Sequence, residues 1–284
     1  MSALGEAQAR IASVRKLKTV VGAMRGIAAA HTQQGRNALD GYSAYTKVIS
    51  GGLACAVELL KPDGAPSAPL AKSRSAIVVF AAEHGFAGAF SERVLDTLAS
   101  AENATLFVVG ARGVAMAEQR GRRVDWSTPM ASQASGVGAT ARRVADALYS
   151  GFVEERFARA EIVFAKISGA AAATVVRQPL LPIDLGAFRA PRPRPPPLTN
   201  LPPRRLIEQL VGEYVFAELA LAALESFASE NAARLTAMES ARLNIEEKLD
   251  ELSSLERFLR QEQITAEVQE VTSGALAAEG AHGL

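Results

Sequence analysis

From Glu213 to Ser273 the chain contains neither glycine nor proline. Both residues interrupt helices, proline by removing an amide donor and clashing with the preceding turn, glycine through its conformational entropy. A run of about 60 residues without either, at 1.5 Å per residue, spells one helix of roughly 90 Å. A domain of about 130 residues is only some 35 Å across, so such a helix must extend beyond any domain that roots it. The alternative is a bundle of shorter helices joined by turns that use neither residue.

Apolar residues recur along the run at three- and four-residue spacing, through Leu210, Ala217, Leu221, Leu224, Ala228, Leu235, Met238, Ile245, Leu249, Leu252 and Leu259. Asn231 and Arg242 are the polar members of the stripe. That period, held for about seven heptads, is a coiled-coil signal. Residues 3–59 carry a matching stripe through Val14, Leu17, Val21, Met24 and Ala28, weakened by Gly22, Gly26, Gly35 and Gly41. A helix with that many glycines needs a partner.

Charge specifies how the two helices pair. Residues 10–25 contain Arg10, Arg15, Lys16, Lys18 and Arg25 with no acid, whereas residues 246–256 contain Glu246, Glu247, Asp250, Glu251 and Glu256 against Lys248. Antiparallel pairing of positions whose numbers sum to about 262 sets base against acid and places Leu17 near Ile245, Val14 near Leu249 and Met24 near Met238. Exposed ion pairs contribute under about 1 kcal/mol each, so they select the register while the apolar seam supplies cohesion. Beyond about residue 260 the C-terminal helix then has no partner within the chain.

Between the helices, at about 75–185, the period changes. "SAIVVFAA", "ATLFVVG", "AEIVFAKIS" and "ATVVRQPLL" are strand-like, and "SERVLDTLAS", "ARGVAMAEQ" and "GATARRVADALYSGFVEE" are helix-like. Alternation of this kind predicts βαβ units and a small, mostly parallel sheet. "KPDGAPSAPLAKS" at 61–73 and "APRPRPPPLTNLPP" at 190–203 are breakers, the second an extended connector. The expected organisation is an N-terminal helix over 1–60, an α/β domain over 75–185 and a C-terminal helix over 204–273, with 1–60 and 204–284 paired as one coiled coil.

The rest of the chain narrows the function. A net charge of +1 offers nothing to nucleic acid, and the basic stretch at 10–25 lacks interleaved aromatics. Cys55 is the only cysteine, which fits a reducing compartment. No apolar run approaches the 18 or so residues of a membrane span. "GFAG" at 85–88 and "GARG" at 110–113 follow strands, but neither is a complete phosphate-binding fingerprint. Glycines at such turns more commonly serve backbone conformation. His31, His84 and His282 have no metal-ligand spacing, and no nucleophile–base arrangement stands out. No cofactor and no catalytic residue is expected.

Four blocks, in order along the chain, resemble the gamma subunits of F-type ATP synthases: "RIASVRKLKTVVGAMRGIAAA", "VVFAAEHGFAGAF", "VVGARGVAM", and the pair "SENAARLTAMESA" and "RQEQITAEVQEVTSGA". The terminal blocks are the specific ones, and together the blocks cover nearly the whole chain. The resemblance implies an α/β fold in which a long antiparallel coiled coil of the two terminal helices joins a small Rossmann-like, mostly parallel domain. It implies a central rotor shaft without catalytic sites of its own. Its partners would be three alpha and three beta subunits, an epsilon subunit and a c-ring, and it would lie peripherally on the cytoplasmic face of a bacterial inner membrane. Carried over by position, Arg260, Gln261, Thr265 and Glu267 match residues that touch the catalytic ring, while Met24 and Arg234 match a neighbouring methionine and arginine on the two helices. A lysine at Met24 is therefore expected to impair coupling. His84 and Phe86 stand where the family has arginine and cysteine, a departure that points to a divergent branch such as the N-type ATPases.

Two rival readings differ in class. A static coiled-coil adaptor would use the rod without the four blocks, and a small α/β enzyme with helical extensions would need a ligand site that the sequence does not display.

Overall fold

The computed structural model describes residues 3–60, 74–99, 103–167, 173–188 and 198–281, with side chains as far as 273. The breaker at 61–73 and most of the proline-rich connector lie outside the described residues. Among the described residues, two terminal helices, α1 (Ala3–Val57) and α5 (Pro203–Ala281), flank five strands and three shorter α-helices. The long C-terminal pattern is one helix of 79 residues, not a bundle. It begins ahead of the uninterrupted run, since proline is tolerated in a first turn and Gly212 is accommodated within the helix. Contacts divide the chain into two units, residues 27–236 and residues 1–26 with 237–284.

The larger unit contains the sheet: β1 (Ser75–Phe80), β2 (Thr105–Val109), β3 (Trp126–Thr128), β4 (Arg159–Lys166) and β5 (Thr174–Leu181), in the order β3-β2-β1-β4-β5. β1 runs parallel to β2 and β4, β2 parallel to β3, and β5 antiparallel to β4. Ala76–Phe80 is buried on both faces, which is why "AIVVF" reads as a continuous apolar run rather than an alternating one. β5 sits at an edge, where Pro179 costs no ladder bond. β3 was not anticipated, because three residues with a serine and a threonine carry no detectable period.

One face of the sheet packs α4 (Val137–Val153) and α5, through Phe80, Phe107, Val144, Leu148, Leu219 and Leu224 among others. The other packs α2 (Phe90–Asp96) and α3 (Ala111–Gln119) against Ile77, Val79, Leu106 and Val108. Within this unit every residue of α5 from Ala222 to Asn231 is buried. Gly35 of α1 lies so close to α5 that a Cβ there would sit 2.8 Å from the Cβ of Ala228.

In the smaller unit the two helices are antiparallel. Val21, Met238 and Ile245 form the seam, with Val14, Met24, Ala241 and Leu249 against it. The register is displaced by about two residues from the expected one: Lys18 meets Glu246 at 3.0 Å, Arg25 meets Glu239 at 3.2 Å, and Gln8 donates to Glu256 at 3.1 Å. Leu17 is consequently exposed and does not meet Ile245 in the seam. Ala7, Ile11 and Val21 are buried instead. The strict three–four pattern through 7, 11, 14 and 21 puts Lys18, not Leu17, at the intervening position, where its charged end reaches the partner helix.

Candidate interaction sites

In a doubly wound sheet the crevice for ligands lies outside the carboxyl ends of the strands, where the strand order reverses. Here that place is between β1 and β4, because β2 and β3 extend the sheet on one side and β4 and β5 on the other. α5 occupies it. The Ser226 hydroxyl donates to the Phe80 carbonyl at 2.9 Å, and the Ser229 hydroxyl donates to the Ala165 carbonyl at 3.1 Å. Both serines are fully buried and each binds the end of a different parallel strand.

One turn further on, the same helix grips the loop after β1. The Glu230 carboxylate accepts from the amides of Glu83 and His84, at 3.3 and 3.5 Å. Arg234 donates to the carbonyls of Gly85 and His84, both at 3.2 Å, and to Asn231 at 3.0 Å. It also pairs with Glu230 one turn back. Both side chains are more than nine-tenths buried, so the ion pair is neutralised and its hydrogen-bonding capacity is met by loop backbone. Glu83 continues the chain of contacts, accepting from the amides of Ala111 at 3.1 Å and Met130 at 2.7 Å. The loop after β1 is thereby tied to α3 and to the segment after β3.

The glycines of "GARG" serve this close packing. Gly110 has φ 111°, and a Cβ there would sit 2.6 Å from the Ala81 carbonyl oxygen. A Cβ on Gly113 would collide with that of Ala81. The gripped loop presents Phe86 with φ 63°, and that residue is two-thirds exposed. Left-handed backbone at a bulky aromatic persists only where neighbouring contacts hold it.

Buried carboxylates accompany α5 along the sheet. Burial pushes the Glu218 carboxyl up, opposed by hydrogen bonds from Tyr214 and Gln178. Burial does the same to Glu225, opposed by Lys166, whose Nζ lies 3.9 Å away. Across the helices, Tyr45 of α1 donates to Glu213 at 2.7 Å, and that bond pushes its phenol up to about 12.

In the smaller unit an ion network crosses the helix pair. Arg242 donates to Glu239 at 2.8 Å and to Glu246 at 2.9 Å, while Arg25 and Lys18 approach the same two carboxylates from α1. Hydrogen bonding from Arg242 holds the Glu239 carboxyl below its usual range, and Lys18 does the same for Glu246. Toward its C-terminus α5 changes character: residues 260 and 261–273 are exposed on every face. Arg260 bonds Glu256 at 2.7 Å, Gln263 bonds Glu267 at 2.9 Å, and the Thr265 hydroxyl bonds the Gln261 carbonyl at 2.9 Å. Phe258, Ile264, Val268 and Val271 are each more than half exposed on this segment.

The predicted site residues thus fall into three settings. Arg260, Gln261, Thr265 and Glu267 share the exposed end of α5, Met24 packs at the helix seam, and Arg234 is enclosed by the loop after β1. The reading from sequence did not find Ser226, Ser229, Glu230 or Glu83. A run of polar residues inside an otherwise apolar helix was the visible signal for Ser226, Ser229 and Glu230, and Glu83, in the loop after β1, had none. Among the described residues, no group of histidine, cysteine and carboxylate side chains is placed to hold a metal.

A mostly parallel sheet whose ligand crevice is filled by the chain's own C-terminal helix, with the terminal helices zipped together by an apolar seam, defines a class of helix-paired α/β proteins. The family model described as ATP synthase matches residues 3–278, and the chain belongs to that family. It is 27% identical to the ATP synthase gamma chain of Bdellovibrio bacteriovorus, covering 99% of this chain and 100% of that one. It is 31% identical to the gamma chain of Frankia casuarinae, over 96% of each. Among solved structures it is similar to a chain of the Euglena gracilis mitochondrial ATP synthase OSCP/F1/c-ring assembly, with a TM-score of 0.69, 16% identity, and coverage of 99% and 96%. A chain of the rotor of that enzyme aligns with a TM-score of 0.62, 18% identity, and coverage of 92% and 98%.

Proposed function

We propose that this chain is the central rotor shaft of an F-type ATP synthase, coupling ion movement through a c-ring to ATP synthesis or hydrolysis in a ring of alpha and beta subunits. It has no catalytic site of its own; the catalytic sites belong to beta. The terminal helices act together as one coiled-coil shaft, and the α/β domain receives the epsilon subunit and the c-ring. The observation that carries this reading is the C-terminal segment of α5, exposed on every face over residues 260–273 and carrying apolar side chains that a foreign sleeve would cover. An asymmetric shaft within a three-fold ring contacts each catalytic subunit differently, and so stabilises a different conformation in each.

Contacts with the ring are assigned to Arg260, Gln261, Thr265 and Glu267 on the exposed end, to Met24 on the seam, and to Arg234 through the loop that it holds. The complex belongs at the cytoplasmic face of a bacterial inner membrane, with this chain peripheral to it. The replacement of the family's arginine and cysteine by His84 and Phe86 supports a divergent, N-type branch. Co-isolation from the producing cell tests the proposal. One copy of this chain for three alpha and three beta subunits is the expected composition, and a homodimer free of both would favour a static adaptor. In the intact complex, Met24→Lys is expected to lower the transport driven per ATP hydrolysed.

A further inference from the structure

In a rotor, torque has to cross from the α/β domain into a helix. Within the larger unit, α5 meets the sheet through side chains that bond backbone at the strand ends. Ser226 holds the last residue of β1, and Ser229 holds Ala165 near the end of the adjacent β4. The two hydroxyls lie three positions apart on one helix face, so together they fix its rotation about its own axis and its height above the strands. Gln178 of β5 adds a third point, donating to Glu218 at 3.1 Å, and the grip of Glu230 and Arg234 on residues 83–85 holds the helix to the loop beyond β1 without bonding a strand. Helix α1 is fastened differently. It bonds α5 through Tyr45 and Glu213 and packs on it where His31 meets Phe227 and Gly35 approaches Ala228, while Ala38, Leu39 and Tyr42 meet the α/β core by apolar packing.

We propose that Ser226 and Ser229 form a torsional key that makes α5 the driven helix, with α1 a follower held to α5 and to the α/β core chiefly by apolar packing. Apolar contact alone would resist separation of helix from sheet but would resist sliding and rotation poorly, because it is non-directional. Two buried hydroxyl-to-carbonyl bonds are directional, and they weaken steeply when the angle at the hydrogen opens. They act as positioning groups and touch no substrate. The key rests on the rotor reading and adds the path by which torque enters the helices.

The test uses this chain assembled with its alpha and beta subunits, the ring immobilised and a bead fixed to the α/β domain. The readout is the angular spread of the bead while it pauses during ATP-driven rotation, since that spread reports the twist of the joint between domain and helix. Ser226→Ala with Ser229→Ala is expected to broaden the pauses and to reduce the torque sustained against drag, at unchanged ATP hydrolysis without load. Tyr45→Phe, which removes a bond between α1 and α5, is expected to leave the spread as in the natural chain. If the double variant does not fold, Ser226→Ala and Ser229→Ala alone are each expected to broaden the pauses. Pauses of natural width in the folded variants would overturn the key, as would equal broadening by Tyr45→Phe. A natural chain that assembles with no ring would overturn the rotor reading, and the key with it.

Discussion

The same helix lives in two environments. Around Ala222–Asn231, α5 is buried on all sides and bonded to strand ends and loop backbone, whereas from residue 260 to 273 it is exposed on all sides and Arg260, Gln263 and Thr265 bond within the helix. Intrinsic propensity does not separate the two segments: good helix formers such as Ala222, Leu224 and Glu225 stand beside Ser226 and Ser229 in the first, and Gln261 and Glu262 stand beside Ile264 and Val268 in the second. Tertiary burial holds the first segment. In the second, Arg260–Glu256 and Gln263–Glu267 pairs at four-residue spacing do what local contacts can, which is a few tenths of a kcal/mol each. A helix that a fold holds in place and a helix held out for a partner therefore look alike to a secondary-structure reading and respond differently to substitution.

Arg234→Ala should break the contrast most severely. It leaves the buried Glu230 carboxylate without its cation and frees two loop carbonyls, which should destabilise the larger unit by roughly 3–5 kcal/mol, read as a shift of the denaturant midpoint. A loss below about 1 kcal/mol would mean that the buried segment is no more constrained than a surface helix. Gly35→Leu should cost about 1–3 kcal/mol by overpacking α1 against Ala228, seen in the same unfolding curve.

A subtler probe is Glu218→Gln. Burial raises the carboxyl of Glu218 in the folded state, so the folded chain holds that proton more tightly than the unfolded one. Its contribution to stability is accordingly present at low pH and is lost as pH rises from the unfolded value through the folded one. The glutamine variant keeps an acceptor for Gln178 and does not ionise. Its melting temperature should exceed that of the natural chain by a margin that grows as pH rises from about 4 to neutrality. A margin independent of pH would contradict the assignment. On the exposed segment, Ile264→Gln should change stability by no more than about 0.5 kcal/mol while weakening association with the alpha–beta ring, measured by co-sedimentation.

How much of this was legible in the sequence divides along the same line. The long helix, the parallel strands and the antiparallel seam were readable, because each rests on a repeated pattern of apolar residues or on the absence of helix breakers. The register was off by about two residues because Leu17 and Lys18 compete for one seam position, and apolar counting favours the leucine. β3 escaped because three residues have no period. The clasp of Glu230, Asn231 and Arg234 on residues 83–85 was invisible for a different reason. Its counterparts are backbone amides and carbonyls, which every residue carries and no sequence pattern marks. Ser226 and Ser229 were hidden in the same way, their partners being the carbonyls of Phe80 and Ala165.

The most direct measurement is rotation itself: this chain combined with its alpha and beta subunits, the ring held to a surface, a probe on the α/β domain, and ATP supplied. Stepwise rotation in one direction, stopping when ATP is withdrawn, is the predicted result. ATP hydrolysis by the assembled ring with the probe stationary or merely diffusing would contradict the account.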